Sequence, residues 1–502
     1  MAANAANREQ SKIVAASKTN QNLSVAAGAG TGKTSTCQLV TEASPYRQFH
    51  YLAYNASTKE EAKRRFPRNV RVTTSHGLAY GAIGKEYAHR IPGPNVRKVM
   101  NRDAARLMGL PGHMRFEHCL MCERQPSEAC RAENHPVTVE MLEGWRLAGI
   151  VKRTVERFCY SAESTVQRSH APRVQGIDER IMPQIRAWAA RKAQEVWISD
   201  LTSTEGRLWY WPDLYLKEYQ LKGGRIFART IILDEAQDTN ECVWDILVQQ
   251  QGKQFILVGD SNQMIYEWRG AHDVMDELKG AMRLYLTGSY RFGPRVAEEA
   301  NKWLALLGSE MRLKGYKRLD SIVVDEPQAE EPDAMIFRTN AGCIGGAFQG
   351  LSAGKQVAIV GGGHAIEQLA KAATDLMAGR PTDHPDLIGF DSWTAVQEYC
   401  KAEPEDAGTL VPLVTAVDDY GPGAILDMTR QLVPEARANL IVTTCHKAKG
   451  LEWNHIRIGN DFPTPAGSKP LSAEEKRLAY VAVTRGKHVV ERGGLRYIDE
   501  LV

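Results

Sequence analysis

A chain of 502 residues is too long for one ordinary domain, and two to four are expected. With 43% hydrophobic and 25% charged residues it has the composition of a soluble globular protein; no apolar run approaches the ~18–20 residues of a membrane span, and the opening MAANAANREQSK lacks the basic-then-apolar pattern of a secretory leader, so no membrane partner and a cytoplasmic setting are expected. The net charge of +3, from 63 basic and 60 acidic residues, neither requires nor excludes a nucleic-acid partner, because a basic groove can sit on a nearly neutral protein.

Short β-branched or apolar runs, each closed by a polar loop, recur along the chain at 22–27, 50–54, 70–73, 230–233, 254–258, 335–337, 356–360, 440–444 and 455–458. Several lead into helical patterns, as at 33–42 and 58–66. Strand–loop–helix units of this kind predict an α/β fold of parallel sheets flanked by helices. The segment 79–222 differs: it is rich in Arg, Glu, Ala and Leu at helical spacing and reads as a mostly helical insertion. A second insertion, broken by Pro and Gly, is read at 361–434. There is no internal repeat and no low-complexity tract.

The first run passes into Ala27-Gly28-Ala29-Gly30-Thr31-Gly32-Lys33-Thr34, which opens a helical pattern. This is a phosphate loop in the context the motif requires. Its glycines let backbone N–H groups turn toward phosphate oxygens, Lys33 adds a point charge on the β/γ-phosphates, and the Thr34 hydroxyl can hold Mg²⁺. The strict pattern begins with Gly, where this chain has Ala27. The competing reading is a plain glycine-rich turn before a helix; Gly-Lys-Thr at a strand-to-helix junction weighs against it.

Within the first insertion, Cys119 and Cys122 form a Cys-x₂-Cys pair, and Cys130 and His135 follow in a polar stretch. Zinc takes four tetrahedral N/S ligands, and a two-residue gap lets both thiolates of a knuckle reach one ion. The intervening ERQPSEA and RAEN are too polar to bury three thiols as core. A structural Zn²⁺ is therefore expected, with His118 or His113 as alternatives to His135. The competing reading is a loop with unpaired cysteines. The other six of the nine cysteines are scattered and read as small buried residues.

At 231–235 three apolar residues run into Asp234-Glu235. Acids at the C-terminal end of a buried strand lie where open α/β sheets bind ligands. Asp234 suits a Mg²⁺ ligand, and Glu235 suits a group that orients and deprotonates the attacking water.

From here the blocks resemble, in order, the helicase motifs of the UvrD/Rep-type superfamily 1 enzymes. Asp234-Glu235-Ala236-Gln237-Asp238 is similar to motif II, 259–271 to motif III, Ser289-Tyr290-Arg291 to motif IV, 444–452 to motif V and 474–485 to motif VI. Gln10 stands where that family keeps an adenine-reading glutamine. The regions 54–67 and 74–80 resemble the helicase core of F-box DNA helicases, although Ser75 departs from the aromatic residue usual before His76. An F-box needs sequence ahead of Gln10, and only nine residues precede it, so no F-box and no ubiquitin-ligase role are expected. Only 17 residues follow Arg485, so no C-terminal nuclease domain is expected either.

The resemblance implies two RecA-like core domains: 1–80 with 223–286 (ATP-binding), and 287–360 with 435–502. The insertions become 81–222, carrying the zinc candidate, and a small one at 361–434. It implies ATP and Mg²⁺ as cofactors. Arg291 and Arg485 become arginine fingers, Gln263 a γ-phosphate sensor, Tyr290 a platform for adenine, and Glu452 a contact on the ribose or phosphate side. Tyr54, Tyr266 and Trp268 become stacking residues, and His76, Arg269 and His446 polar contacts, for single-stranded DNA. The expected activity is ATP-driven 3′-to-5′ DNA unwinding on tailed or forked duplexes. The alternative is a single-strand translocase that strips proteins or remodels recombination intermediates with little unwinding. A binding module with a degenerate ATPase is disfavoured by intact Lys33, Asp234, Glu235, Arg291 and Arg485.

Overall fold

The fold is taken from a computed structural model, which describes residues 6–92, 99–174, 176–266, 270–384, 386–388, 390–402, 407, 410–465 and 470–501. Two six-stranded sheets dominate it, and every strand pair within them is parallel. The first sheet runs, edge to edge, Met282–Leu286, Leu23–Ala27, Gln254–Gly259, Thr230–Asp234, Phe49–Ala53, Val70–Thr74. The second runs Ile322–Val324, Gly486–Glu491, Trp453–Ile458, Ala334–Phe337, Leu440–Thr444, Val357–Ile359.

The apolar runs of the sequence form these sheets because a parallel strand covered by helices is buried on both faces and must be apolar throughout. Leu23–Ala27, Phe49–Ala53 and Thr230–Asp234 are buried at every position. Three further strands lie outside the runs read from the sequence. Met282–Leu286 and Ile322–Val324 lie on sheet edges and are partly exposed, and Gly486–Glu491 mixes Lys and His with its valines.

Each insertion shares a core with its sheet. Leu52, Ile231, Leu233 and Leu257 of the first sheet pack in one cluster with Val151, Val155 and Phe158 of the helix Gly144–Tyr160 and with Leu214 and Tyr215. Phe337, Val357, Ile359 and Val442 of the second sheet pack with Ile366, Leu369, Trp393, Val414 and Ile425 from 361–434. A third cluster joins the two halves: Ala26, Ala29 and Ile265 lie against Phe292, Val296, Trp303 and Tyr480.

The helical reading of 79–222 is incomplete. His113–Cys119 and Val137–Glu143 form an antiparallel hairpin, pairing His113 with Glu143 at one end and Cys119 with Val137 at the other. Its inner face, Phe116 and Leu142, joins Leu147, Ile150 and Ile185 in a separate core. Only a few inward residues carry the strand period here, too few to stand out among Arg and Glu. Among the described residues no helix is long and apolar enough to cross a membrane.

Candidate nucleotide and nucleic-acid sites

The phosphate loop joins the buried strand Leu23–Ala27 to the helix Lys33–Glu42. Gly30 and Gly32 adopt φ of +71° and +82°, the left-handed region that glycine enters at no steric cost. At Gly30 space is also short: a Cβ would stand 2.5 Å from Cβ of Arg291, across the gap between the sheets. Gln10 is buried beside the loop. Its Oε1 accepts from the Asn7 N–H at 3.0 Å, and its Nε2 donates to Thr36 Oγ1 at 3.2 Å, so the cap of the helix Arg8–Ser17 orients it. Thr34 sits in the first turn of Lys33–Glu42.

Asp234 and Glu235 end the strand two places from the loop strand, with Gln254–Gly259 between. Tyr51 donates to Asp234 Oδ2 at 2.5 Å, while Asp234 Oδ1 is buried with no hydrogen-bond partner. Burial, and then the neighbouring Glu235 charge, raises the Asp234 carboxyl above its usual range. That orphaned oxygen fits a cation ligand. Glu235 holds φ of +50°, an uncommon conformation for a side-chain-bearing residue and a mark of a functional turn. Lys33 Nζ pairs with Glu235 Oε1 at 2.6 Å. Burial opposes ionisation of Glu235, but the ammonium groups of Lys33 and Lys449 outweigh it and hold the carboxyl below its usual range. Burial likewise opposes the Lys33 charge, and Glu235, Asp234 and Asp260 outweigh it.

The second half closes over this site. Tyr290 N–H donates to the Gly30 carbonyl at 2.8 Å; its ring is 47% exposed beside Gly32, and its hydroxyl accepts from Asn7 Nδ2 at 2.9 Å. Arg291 donates to Glu452 Oε2 at 2.6 Å and to the Thr484 carbonyl at 3.2 Å. Glu452 also pairs with Lys487 at 2.9 Å. Arg485 is fully buried and donates to the Val481 carbonyl at 2.9 Å and to Gln263 Oε1 at 3.3 Å. Burial, reinforced by the Arg291 charge, lowers its pKa to about 9.

Of the candidates for nucleic acid, Tyr54, His76 and Tyr266 line a cleft of about 1000 Å³ together with Tyr160, Tyr215 and neighbours. Tyr54 and Tyr266 face each other at 6.2 Å, nearly parallel, and Tyr266 donates to the His446 carbonyl at 2.9 Å. His76 Nε2 lies 2.9 Å from Asp213 Oδ1. Trp268 and Arg269 lie outside the described residues. Elsewhere, Cys119, Cys122, Cys130 and His135 converge, their ligand atoms all within 4.8 Å of one another; His113 and His118 are not in the group.

Comparison with known proteins sets these motifs in a family. Residues 210–278 match the UvrD/REP helicase N-terminal domain, and residues 399–490 match the UvrD-like helicase C-terminal domain. The chain therefore resembles UvrD/Rep-type helicases in both their N-terminal and their C-terminal domains. It is similar to F-box DNA helicase protein 1 of Schizosaccharomyces pombe, at 28% identity over 93% of this chain and 54% of that protein. It is also similar to F-box DNA helicase 1 of Gallus gallus, at 26% over 93% of this chain and 47% of that protein. A probable DNA helicase of Mycoplasma pneumoniae is 37% identical over 51% of this chain and 42% of its own length. The chain thus spans about half the length of the F-box relatives it matches.

The phosphate loop, Tyr290 and Arg291 lie outside both matched stretches. Several residues of the site have no role in the sequence reading. Gln237 donates to Glu235 Oε2 at 2.7 Å and accepts from the Asp260 N–H at 2.9 Å. Tyr480 donates to Asp260 Oδ2 at 3.0 Å, and Gln263 Nε2 donates to the same oxygen at 2.6 Å. Lys449 pairs with Asp238 and donates to the Gln263 carbonyl at 2.5 Å. The ties of Tyr480 and Lys449 cross between the two halves and leave no local sequence signal. Arg153, Arg157 and Tyr160 do leave one: they recur at i, i+4 and i+7 on the helix Gly144–Tyr160, and all three line the cleft.

Proposed function

We propose that this chain is an ATP-dependent DNA helicase that moves 3′ to 5′ along single-stranded DNA. The observation that carries the reading is the opposition of two half-sites. The phosphate loop, Asp234 and Glu235 belong to the first sheet; from the second half the Tyr290 N–H reaches the Gly30 carbonyl at 2.8 Å, Arg485 reaches Gln263 Oε1 at 3.3 Å, and Arg291 packs against Gly30. Such a site is complete only when both halves meet, so binding and release of ATP drive their closing and opening. The working parts are 1–80 with 223–286 and 287–360 with 435–502, bearing the insertions 81–222 and 361–434.

Thr34 and the orphaned oxygen of Asp234 would hold Mg²⁺, which neutralises phosphate charge when bound. Lys33 moves from Glu235 to the incoming phosphates. Glu235 thereby loses its strongest cationic neighbour and gains basicity toward water. Arg291 and Arg485 stabilise charge on the transferring group, Gln263 stands between Arg485 and Asp260, and Glu452 steers Arg291. Asp238 belongs both to the cleft and, through Lys449 and Gln237, to the hydrolytic site, so strand occupancy and ATP chemistry share one hydrogen-bond network.

The single strand stacks on Tyr54 and Tyr266, while Arg153 and Arg157 meet its phosphates. Each stacked base contributes ~1–3 kcal/mol. Arg157→Ala is expected to weaken single-strand binding without altering ATP binding. A lost phosphate contact should lower the slope of log affinity against log salt by ~0.7. An unchanged slope in fluorescence-anisotropy titrations removes Arg157 from the strand path.

The polarity and the tailed or forked duplex substrate rest on likeness to the UvrD/Rep enzymes. Strand displacement from 3′-tailed duplexes, with none from 5′-tailed ones, is the expected result. Displacement from 5′-tailed duplexes alone overturns the polarity. Movement that dislodges bound protein without separating strands supports a stripping translocase instead.

A further inference from the structure

We infer that the tip of the hairpin in the first insertion is a structural Cys₃His zinc site, formed by Cys119, Cys122, Cys130 and His135. The donor spacing is that of a tetrahedral shell. Zn–S near 2.3 Å and Zn–N near 2.0–2.1 Å require about 3.8 Å between sulfurs and about 3.6 Å between sulfur and nitrogen. His135 Nδ1 lies 3.6 Å from Cys119 Sγ and 3.5 Å from Cys122 Sγ, and Cys130 Sγ lies 3.6 Å from Cys122 Sγ. Three thiols cannot all be consumed by disulfides within the group, and all are free. The remaining cysteines belong to no such group among the described residues.

Surrounding groups orient the donors as outer-shell partners of a metal do. His135 Nε2 lies 2.9 Å from Glu133 Oε2, which keeps the proton on Nε2 and leaves the Nδ1 lone pair facing the thiols. Ser127 Oγ lies 3.2 Å from Cys130 Sγ and caps the short helix Glu128–Ala132 that carries Cys130. The chain turns twice through left-handed backbone at residues that bear side chains, Glu123 at φ +51° and Asn134 at φ +55°. Such turns persist only where something else holds them. Packing does not: at the tip Met121 is 65% exposed and Leu120 39%.

With four protein ligands the shell is closed, so the ion is structural and has no open position for a reacting water. It staples the far end of the hairpin, whose inner face, Phe116 and Leu142, packs with Leu147 and Ile150 of the helix that carries Arg153, Arg157 and Tyr160 into the cleft. This site is independent of the proposed motor.

The test is elemental analysis of the full chain purified without added metal. About one zinc per chain is expected, released stoichiometrically when a mercurial reagent blocks the thiols. The Cys122→Ser/Cys130→Ser variant should carry less than ~0.1 zinc per chain, whereas Asp234→Asn, altered only at the nucleotide site, should keep its zinc. Cobalt exchanged for zinc should show the visible absorption of a tetrahedral thiolate site. Metal-free wild-type protein whose three thiols react freely with a disulfide reagent overturns the proposal. So does zinc that survives in the double-serine variant, or iron in place of zinc. If the double variant is insoluble, metal content and mercurial release of the wild-type chain decide the question alone.

Discussion

Lys33→Ala is expected to lower DNA-stimulated ATP turnover by at least ~10²–10³-fold, the scale set by removing one preorganised charge from a reacting centre. The side chain reaches Glu235 Oε1 at 2.6 Å and contributes to no hydrophobic cluster, so the fold should survive. Two losses combine. The phosphates lose a point charge, and Glu235 loses the partner that holds its carboxyl ionised, leaving two buried acids side by side with less compensation. Far-ultraviolet circular dichroism should be unchanged and melting only modestly shifted, while steady-state hydrolysis falls. Turnover within tenfold of wild type would remove the phosphate-loop assignment.

Arg291→Ala should cost ~10³–10⁵-fold in turnover if this side chain acts as an arginine finger. Nucleotide affinity should change little, because the charge it meets develops during the reaction. The variant suits a clean test better than Arg485→Ala. Arg485 is fully buried and tied to the Val481 carbonyl, Gln263 and Thr484, so its removal leaves several polar groups unpaired. Arg291 leaves only Glu452 and one carbonyl, and Lys487 remains on Glu452 at 2.9 Å. Single-turnover hydrolysis and equilibrium nucleotide binding, measured together, separate the two effects. A loss of binding with unchanged single-turnover chemistry would make Arg291 a binding residue rather than a finger.

The parts of this protein that depend on neighbours in sequence were legible without coordinates. The phosphate loop needs a buried strand, a glycine turn and a helix start within about ten residues, and each has its own local signature. The double acid after Ile231, Ile232 and Leu233 is equally local, since a strand covered on both faces must be apolar to its last turn. The interior strands announced themselves in the same way, except Gly486–Glu491, which mixes Lys and His with its valines. The edge strand Met282–Leu286 did not, because a strand with one open side may keep polar residues, and Ile322–Val324 is apolar but only three residues long.

What depends on register and long-range contact was decided only by the tertiary structure. Cys-x₂-Cys narrowed the proposed zinc site to a few residues but left His113, His118 and His135 open. The hairpin pairing resolves this: it puts His113 at the end opposite Cys119, pairs His118 with Thr138 on the buried face, and returns the chain so that His135 meets the thiols. A one-residue slip would turn His118 outward together with the buried Phe116, so the packing of that face holds the register. The ties of Tyr480 to Asp260, Lys449 to Asp238 and Arg153 to the cleft likewise join residues far apart in the chain. Sequence by itself determined which motifs each half carries, because those motifs are built from contiguous backbone. Only the fold determined which groups face one another, because facing is a property of two surfaces brought together and is written in neither segment alone.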